Sequence, residues 1–281
     1  LYGGTRDLIT REFPKIDIEV DFLEELSPEC LEKHIKSNTR VLLVESITNP
    51  LLQIENLIAA ADFARKKGII SMIDNTFASP ANFKPIHIGF DLILHSCTKY
   101  LNGHSDLVAG AVIGKTEYIK KINHRNFHFG ATLDPHTCFL LQRGIKTMPL
   151  RMKQHNKNAA ALAEFLSGHP GVRKVYYPGL PGSGGDEETK HLFSGFSGML
   201  SVELKGNLDL TRRFLGRLEL PVEAPSLGGV ESLVSRPSVT SHSGLTAAER
   251  DKMGISDCLI RISAGVEGTD DLIDDFKQAL L

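Results

Sequence analysis

Hydrophobic and polar positions alternate in blocks: short apolar runs, turn residues, then amphipathic stretches. Thr39–Glu45 is rich in Val and Leu and is soon followed by Pro50, which predicts a buried strand. Residues 54–67 place Ile54, Leu57, Ile58 and Ala61 at helical spacing, with basic residues in the last turn and Gly68 as the stop. Ile69–Ile73 predicts a second buried strand, ending at Asp74. Asp91–Ser96 predicts a third and Val108–Gly114 a fourth. Strand, helix, strand implies a right-handed parallel crossover, and several such strands imply an α/β sheet covered on both faces. Chemistry in such sheets lies beyond the carboxyl ends of the strands. Asp74 sits directly after one strand and Lys99 three residues past another.

The second half reads differently. Pro135–Gly144 and Leu150–Leu166 predict helices, the latter with Ala159, Leu162, Phe165 and Leu166 on one side. Strand patterns follow at Val172–Tyr177, Met199–Leu204 and Cys258–Ser263, with a Gly/Ser/Pro-rich loop at 178–185. Helical patterns lie near 208–218 and from Asp270. This half is α+β. A boundary near Arg151 divides the chain into an α/β domain, 1–150, and a smaller α+β domain, 151–281. Near the start, Gly3-Gly4-Thr5 reads as a tight turn inside a domain, so the chain is expected to lack its beginning.

Composition narrows the classes. Thirty-two Lys and Arg face thirty-four Asp and Glu among 281 residues. That balance argues against a nucleic-acid binder, which carries a basic patch and a high pI. No apolar run reaches the roughly 18 residues that span a bilayer, so no membrane partner is expected. Cys30, Cys97, Cys138 and Cys258 are far apart and form no CxxC pair, and read as reduced thiols of a cytosolic protein. Ala109–Thr116 nearly spells a phosphate-binding P-loop, but starts with Ala where that pattern needs Gly. His124 and His128 form an i, i+4 pair without the Glu of HExxH. No metal is expected.

The candidate chemistry centres on Lys99. A solvated lysine has a pKa near 10.4 and is a poor nucleophile, but burial lowers that value. The free amine then condenses with an aldehyde, which is how lysine anchors pyridoxal phosphate. That cofactor also needs a carboxylate facing its pyridine nitrogen and donors for its phosphate. Asp74, Ser96, Thr98 and Lys99 are of the right types. A lysine after a strand is commonly solvated, however, and an Asp closing a strand is commonly a cap. Residue types alone leave both readings open.

Ser96-Cys97-Thr98-Lys99-Tyr100, followed by Gly103-His104-Ser105-Asp106, resembles the cofactor-lysine motif of the Cys/Met metabolism (cystathionine) family of pyridoxal-phosphate enzymes. Supporting segments occur in the family's order: Tyr2–Thr5, Glu45–Pro50, Asp74–Phe77, Ser226–Ser232 and Arg261–Glu267. The resemblance implies a fold-type-I transferase-like architecture, with a mostly parallel α/β sheet domain and a smaller α+β domain. It implies that Lys99 holds pyridoxal 5′-phosphate as a Schiff base and moves protons among substrate carbons. It pairs Asp74 with the pyridine nitrogen and assigns Ser96 and Thr98 to the phosphate. Tyr2 would stack on the ring and act as a base on the incoming amino group. Asn49 and Arg261 would hold the substrate carboxylate, assisted by backbone near Ser232. Arg261 would act as a two-pronged clamp.

The resemblance further implies a homotetramer with shared active sites, acting on a small amino acid. Relatives carry an upstream region that supplies a further phosphate-binding turn and an arm reaching the neighbouring subunit. Thr5-Arg6-Asp7-Leu8-Ile9 departs from the family's Thr-x-Arg-aromatic-Phe. Members split between γ-elimination of cystathionine, γ-replacement on an acylated homoserine, β-elimination and methionine cleavage. Glu231 resembles the acid of members that handle cystathionine, where it meets the distal amino group. Methionine-cleaving members commonly carry Cys at the position of Gly4. The expected activity is γ-elimination, with γ-replacement second and a catalytically silent scaffold as the alternative of another class.

Overall fold

The computed structural model describes residues 1–281. The chain opens on α1 (Gly3–Asp7), which runs on into a π-helical turn, Leu8–Glu12. Gly3 and Gly4 therefore start a helix, not the tight turn their pairing predicts. Gly3 serves a close approach instead: a Cβ there would stand 2.6 Å from the Ser241 carbonyl oxygen. α2 (Pro28–His34) follows, capped by the Ser27 hydroxyl, which accepts from the Cys30 N–H.

The first sheet forms from the predicted apolar runs. β1 (Val41–Glu45) leads to α3 (Leu57–Lys67) and then β2 (Ile70–Asp74). α3 starts three residues later than the pattern predicts, because the Asn56 side chain accepts from the Ala59 N–H and so sets the first turn. Its Leu57, Ala60, Ala61 and Ala64 are buried against the sheet. After α4 (Ser79–Asn82) come β3 (Leu92–Ser96) and β4 (Gly110–Gly114). The strand order is β1-β2-β3-β4. β1, β2 and β3 are parallel, with Glu45 opposite Asp74 and Asp74 opposite Leu94. β4 is antiparallel to β3, so the sheet is mostly, not wholly, parallel. Asp74 thus lies at the carboxyl end of β2, and Lys99 in the loop leaving β3.

α5 (Thr116–Phe129), which no periodicity marked, buries none of its residues. α6 (Pro135–Ile145) and α7 (Met148–Ser167) follow. The second sheet has the order β5-β6-β9-β8-β7. Its strands are β5 (Val172–Tyr176), β6 (Met199–Leu204), β7 (Val222–Glu223), β8 (Leu233–Ser235) and β9 (Leu259–Ser263). α8 (Glu187–Lys190) precedes β6, α9 (Leu208–Arg217) follows it, α10 (Ala247–Lys252) precedes β9, and α11 (Thr269–Ala279) ends the fold. One hydrophobic core runs from Leu42 and Ile73 of the first sheet to Met199 and Ile260 of the second.

α7 does more than pack its predicted apolar side. Its buried polar residues grip the loops at the ends of both sheets. Arg151 Nη1 donates to the Tyr100 carbonyl (2.9 Å), one residue past Lys99. His155 Nδ1 donates to the Ala264 carbonyl (2.7 Å), just past β9. Asn158 donates to the Gly265 and Glu267 carbonyls (3.0 and 2.9 Å). These bonds satisfy buried carbonyls that would otherwise carry a desolvation cost. No helix is long and apolar enough to cross a membrane.

Candidate active site

Lys99 lies in a turn closed by backbone bonds, Lys99 N–H to Ser96 and Gly103 N–H to Lys99 (3.2 and 2.8 Å). Its Nζ reaches across the molecule and donates to Ser226 Oγ at 2.6 Å. Burial, and then the charge of Arg261, pull the Lys99 pKa below the ordinary lysine value. More of the amine is therefore in its nucleophilic form at neutral pH.

Ser226 is the residue that sequence reasoning missed. Its hydroxyl accepts from Lys99 while its carbonyl accepts from Arg261 Nη2 (3.1 Å). Its φ of +107° is uncommon for a residue with a side chain, a conformation kept where surrounding bonds enforce it. The following Gly228 explains the close approach. A Cβ there would stand 2.8 Å from the Tyr100 backbone nitrogen. The only signal available was the position of Ser226 at the head of the Ser226–Ser232 segment.

Arg261 is central in β9, all of whose residues are buried. Its cross-strand neighbours are Ser201 and Ser235, whose small side chains leave room beside it. Nη1 donates to Asn49 Oδ1 (3.2 Å). Burial lowers its pKa to about 10, and no carboxylate of the chain is paired with it. A buried guanidinium without an anion is costly, so this is a site built to receive one. The Tyr2 phenol lies near enough to act on the same charge. Tyr2 itself is 56% exposed, at the head of α1.

Asp74 accepts from the Thr76 N–H (2.9 Å), and Thr76 Oγ1 in turn accepts from the Ser96 N–H (2.9 Å). Burial raises the Asp74 pKa, opposed by its bonds from Thr76 and by the charge of the Leu1 amino group. The Thr98 hydroxyl accepts from the Ala109 N–H (3.1 Å) and donates weakly to its carbonyl (3.4 Å). Thr98, Ser226 and Glu231 line one cleft of about 590 Å³, together with Ser105 and Asp106. Ser105 Oγ donates to Glu231 there.

Ser232 is not brought into this group. Its hydroxyl donates to Glu267 (2.9 Å) and accepts from the Gly265 N–H (2.8 Å), and its own N–H is given to Glu267. That N–H is spent on holding the loop after β9 and has nothing left for a ligand.

The residues fit pyridoxal phosphate. An amine of lowered pKa, a buried carboxyl and a guanidinium without an anion lie at the ends of the two sheets. The sequence family described as Cys/Met metabolism PLP-dependent enzymes matches residues 1–281. The chain belongs to this family. Like the family, it is a pyridoxal-phosphate enzyme. A cystathionine γ-lyase of Dictyostelium discoideum is 42% identical over 281 residues, covering all of this chain and 73% of the relative. The crystal structure of cystathionine γ-lyase from Lactobacillus plantarum, complexed with L-serine, superposes with a TM-score of 0.94 at 38% identity, over 99% of this chain and 73% of that one. Cystathionine γ-synthase from Xanthomonas oryzae pv. oryzae, with aminoacrylate and cysteine, gives 0.95 at 38% identity, over 99% and 72%. Among Cys/Met metabolism enzymes the fold is thus the expected fold-type-I α/β architecture.

Proposed function

We propose that the protein catalyses γ-elimination of L-cystathionine, with water, to cysteine, 2-oxobutanoate and ammonia. The observation that carries this reading is the meeting of Lys99 and Arg261 on Ser226, with Glu231 in the same cleft. An amine that can move protons and a clamp for an α-carboxylate are then one residue apart. Glu231 supplies the charge for a second, distal amino group.

Pyridoxal phosphate, when bound, supplies an electron sink for the pair left on a substrate carbon that loses a proton. Lys99 would hold it through its amine, and Asp74 would face its pyridine nitrogen. Ser96 and Thr98 would serve its phosphate, Thr98 at the expense of its bond to Ala109, and the Tyr2 ring would cover it. Arg261 and Asn49 bind the substrate carboxylate and so fix which Cα bond faces Lys99. Lys99 Nζ takes and returns protons, and Ser226 Oγ holds it on the substrate side between transfers. Tyr2 receives the proton of the incoming amino group.

The test is direct. Protein purified with cofactor is given L-cystathionine, and separately an acyl-homoserine with cysteine. Release of 2-oxobutanoate from the first supports γ-elimination. Cystathionine formed from the second would transfer the assignment to γ-replacement. Turnover of methionine alone would overturn both.

The remaining assignments are also proposals. Two domains would form, one around each sheet; the boundary read near Arg151 falls inside α7 (Met148–Ser167), so the division belongs at the head of that helix. A homotetramer would cover apolar side chains that this chain leaves open, such as Val108 (83% exposed), Phe127 (82%) and Phe129 (80%). Four free cysteines suit a reducing cytoplasm.

A further inference from the structure

Glu45 ends β1 directly opposite Asp74 in the sheet. Its side chain is 9% exposed. Oε1 accepts from the Tyr2 backbone N–H at 2.7 Å. Oε2 lies 3.6 Å from the Leu1 amino nitrogen and accepts no hydrogen bond. Burial, and then the charge of Asp74, raise the Glu45 pKa; the Leu1 amino group opposes this most, and the N–H groups of Tyr2 and Asn49 less. A carboxylate is an expensive group to bury for its own sake, and an apolar residue would end a strand at less cost. What Glu45 touches explains its presence. It lies between Tyr2 and Asn49, both of which belong to the Arg261 side of the site, and beside Asp74.

We propose that Glu45 is a positioning residue: it ties the head of α1 to the end of the sheet, and thereby holds the Tyr2 ring over the site of Lys99 and Arg261. Tyr2 needs such a tether. The residue is more than half exposed, so packing alone does little to fix it. The backbone bond to Glu45 anchors the residue and leaves the ring free to face a planar ligand. Glutamine can replace this function, because an amide oxygen accepts the same N–H. Alanine cannot. This inference rests on the Lys99 reading given above.

The experiment uses the full chain loaded with pyridoxal phosphate and reads two quantities apart from turnover. These are the visible circular dichroism of the bound cofactor and its dissociation constant. Glu45→Ala should weaken cofactor affinity about tenfold, the scale of one lost hydrogen bond to a charged acceptor, and flatten the visible band. Glu45→Gln should return affinity to within about threefold of wild type. In a Tyr2→Ala background the Glu45→Ala effect should vanish, since Glu45 acts through Tyr2. A full Glu45→Ala effect in that background overturns the proposal. So does a Glu45→Gln variant as impaired as Glu45→Ala. If wild type itself shows no cofactor band, the Lys99 reading falls, and this one with it. A normal wild-type band with unaltered Glu45 variants removes the tether alone.

Discussion

Arg261 and Asn49 are 212 positions apart in the chain and 3.2 Å apart in space, Nη1 donating to Oδ1. The bond spans the two sheets, joining β9 of the second to the loop after β1 of the first. With Nη2 held by the Ser226 carbonyl, the guanidinium is fixed in plane before any substrate arrives. Such preorganisation is what makes a bidentate clamp effective.

Arg261→Lys tests the clamp. One ammonium on a flexible stem cannot hold Asn49, Ser226 and a carboxylate in a plane. KM for amino-acid substrates should rise by about 30- to 100-fold, matching a loss of about 2–3 kcal/mol. The visible band of the bound cofactor should persist, since Lys99 is intact. Loss of the band along with KM would show that Arg261 serves the fold instead.

Lys99→Ala tests the reacting amine. The variant should show only the spectrum of free pyridoxal phosphate and lose at least about a thousandfold in kcat, as expected where one group serves both as anchor and in proton transfer. A wild-type spectrum in this variant would contradict the assignment.

Glu231→Ala tests the distal subsite. Turnover of cystathionine should fall about tenfold more than that of substrates without the distal amine, the value of one charge-assisted hydrogen bond. The comparison is kcat/KM for both substrate types. Equal losses would remove Glu231 from substrate recognition.

Stability should fall on acidification through three buried histidines. Burial lowers the pKa of His95, His155 and His242 from 6.5 to about 4. Between those values the unfolded chain binds more protons than the folded one, so stability rises with pH across this window. The contribution is complete above pH 6.5 and is lost as pH falls towards 4, on the order of 3 kcal/mol per histidine. Denaturant midpoints measured across the window should follow that slope. His95→Asn should reduce it by about one proton.

Much of this protein could be read along the chain. β1, β2 and β3 coincide with apolar runs, although in β1 and β2 only alternate residues are fully buried. The positions of Asp74 at the carboxyl end of β2 and of Lys99 past β3 followed from the ends of the apolar runs and the crossover rule. The direction of β4 did not, since an apolar run looks the same whichever way it pairs. Nor did the helix at Gly3, where the glycine answers a close approach to Ser241 that no local pattern records.

The chain itself determined which chemical groups are available: a lysine, an aspartate, an arginine within an apolar strand, and the order of segments that places them in a family. Local pattern records composition and period, and these are properties of neighbours in sequence. Tertiary structure decided which groups meet. Ser226 links Lys99 to Arg261, and Glu45 holds Tyr2, across 127 and 43 positions respectively. Ser232 is drawn away to Glu267 for the same reason. Hydrogen bonds act only over about 3 Å, so the partners of a side chain are settled when the sheets pack.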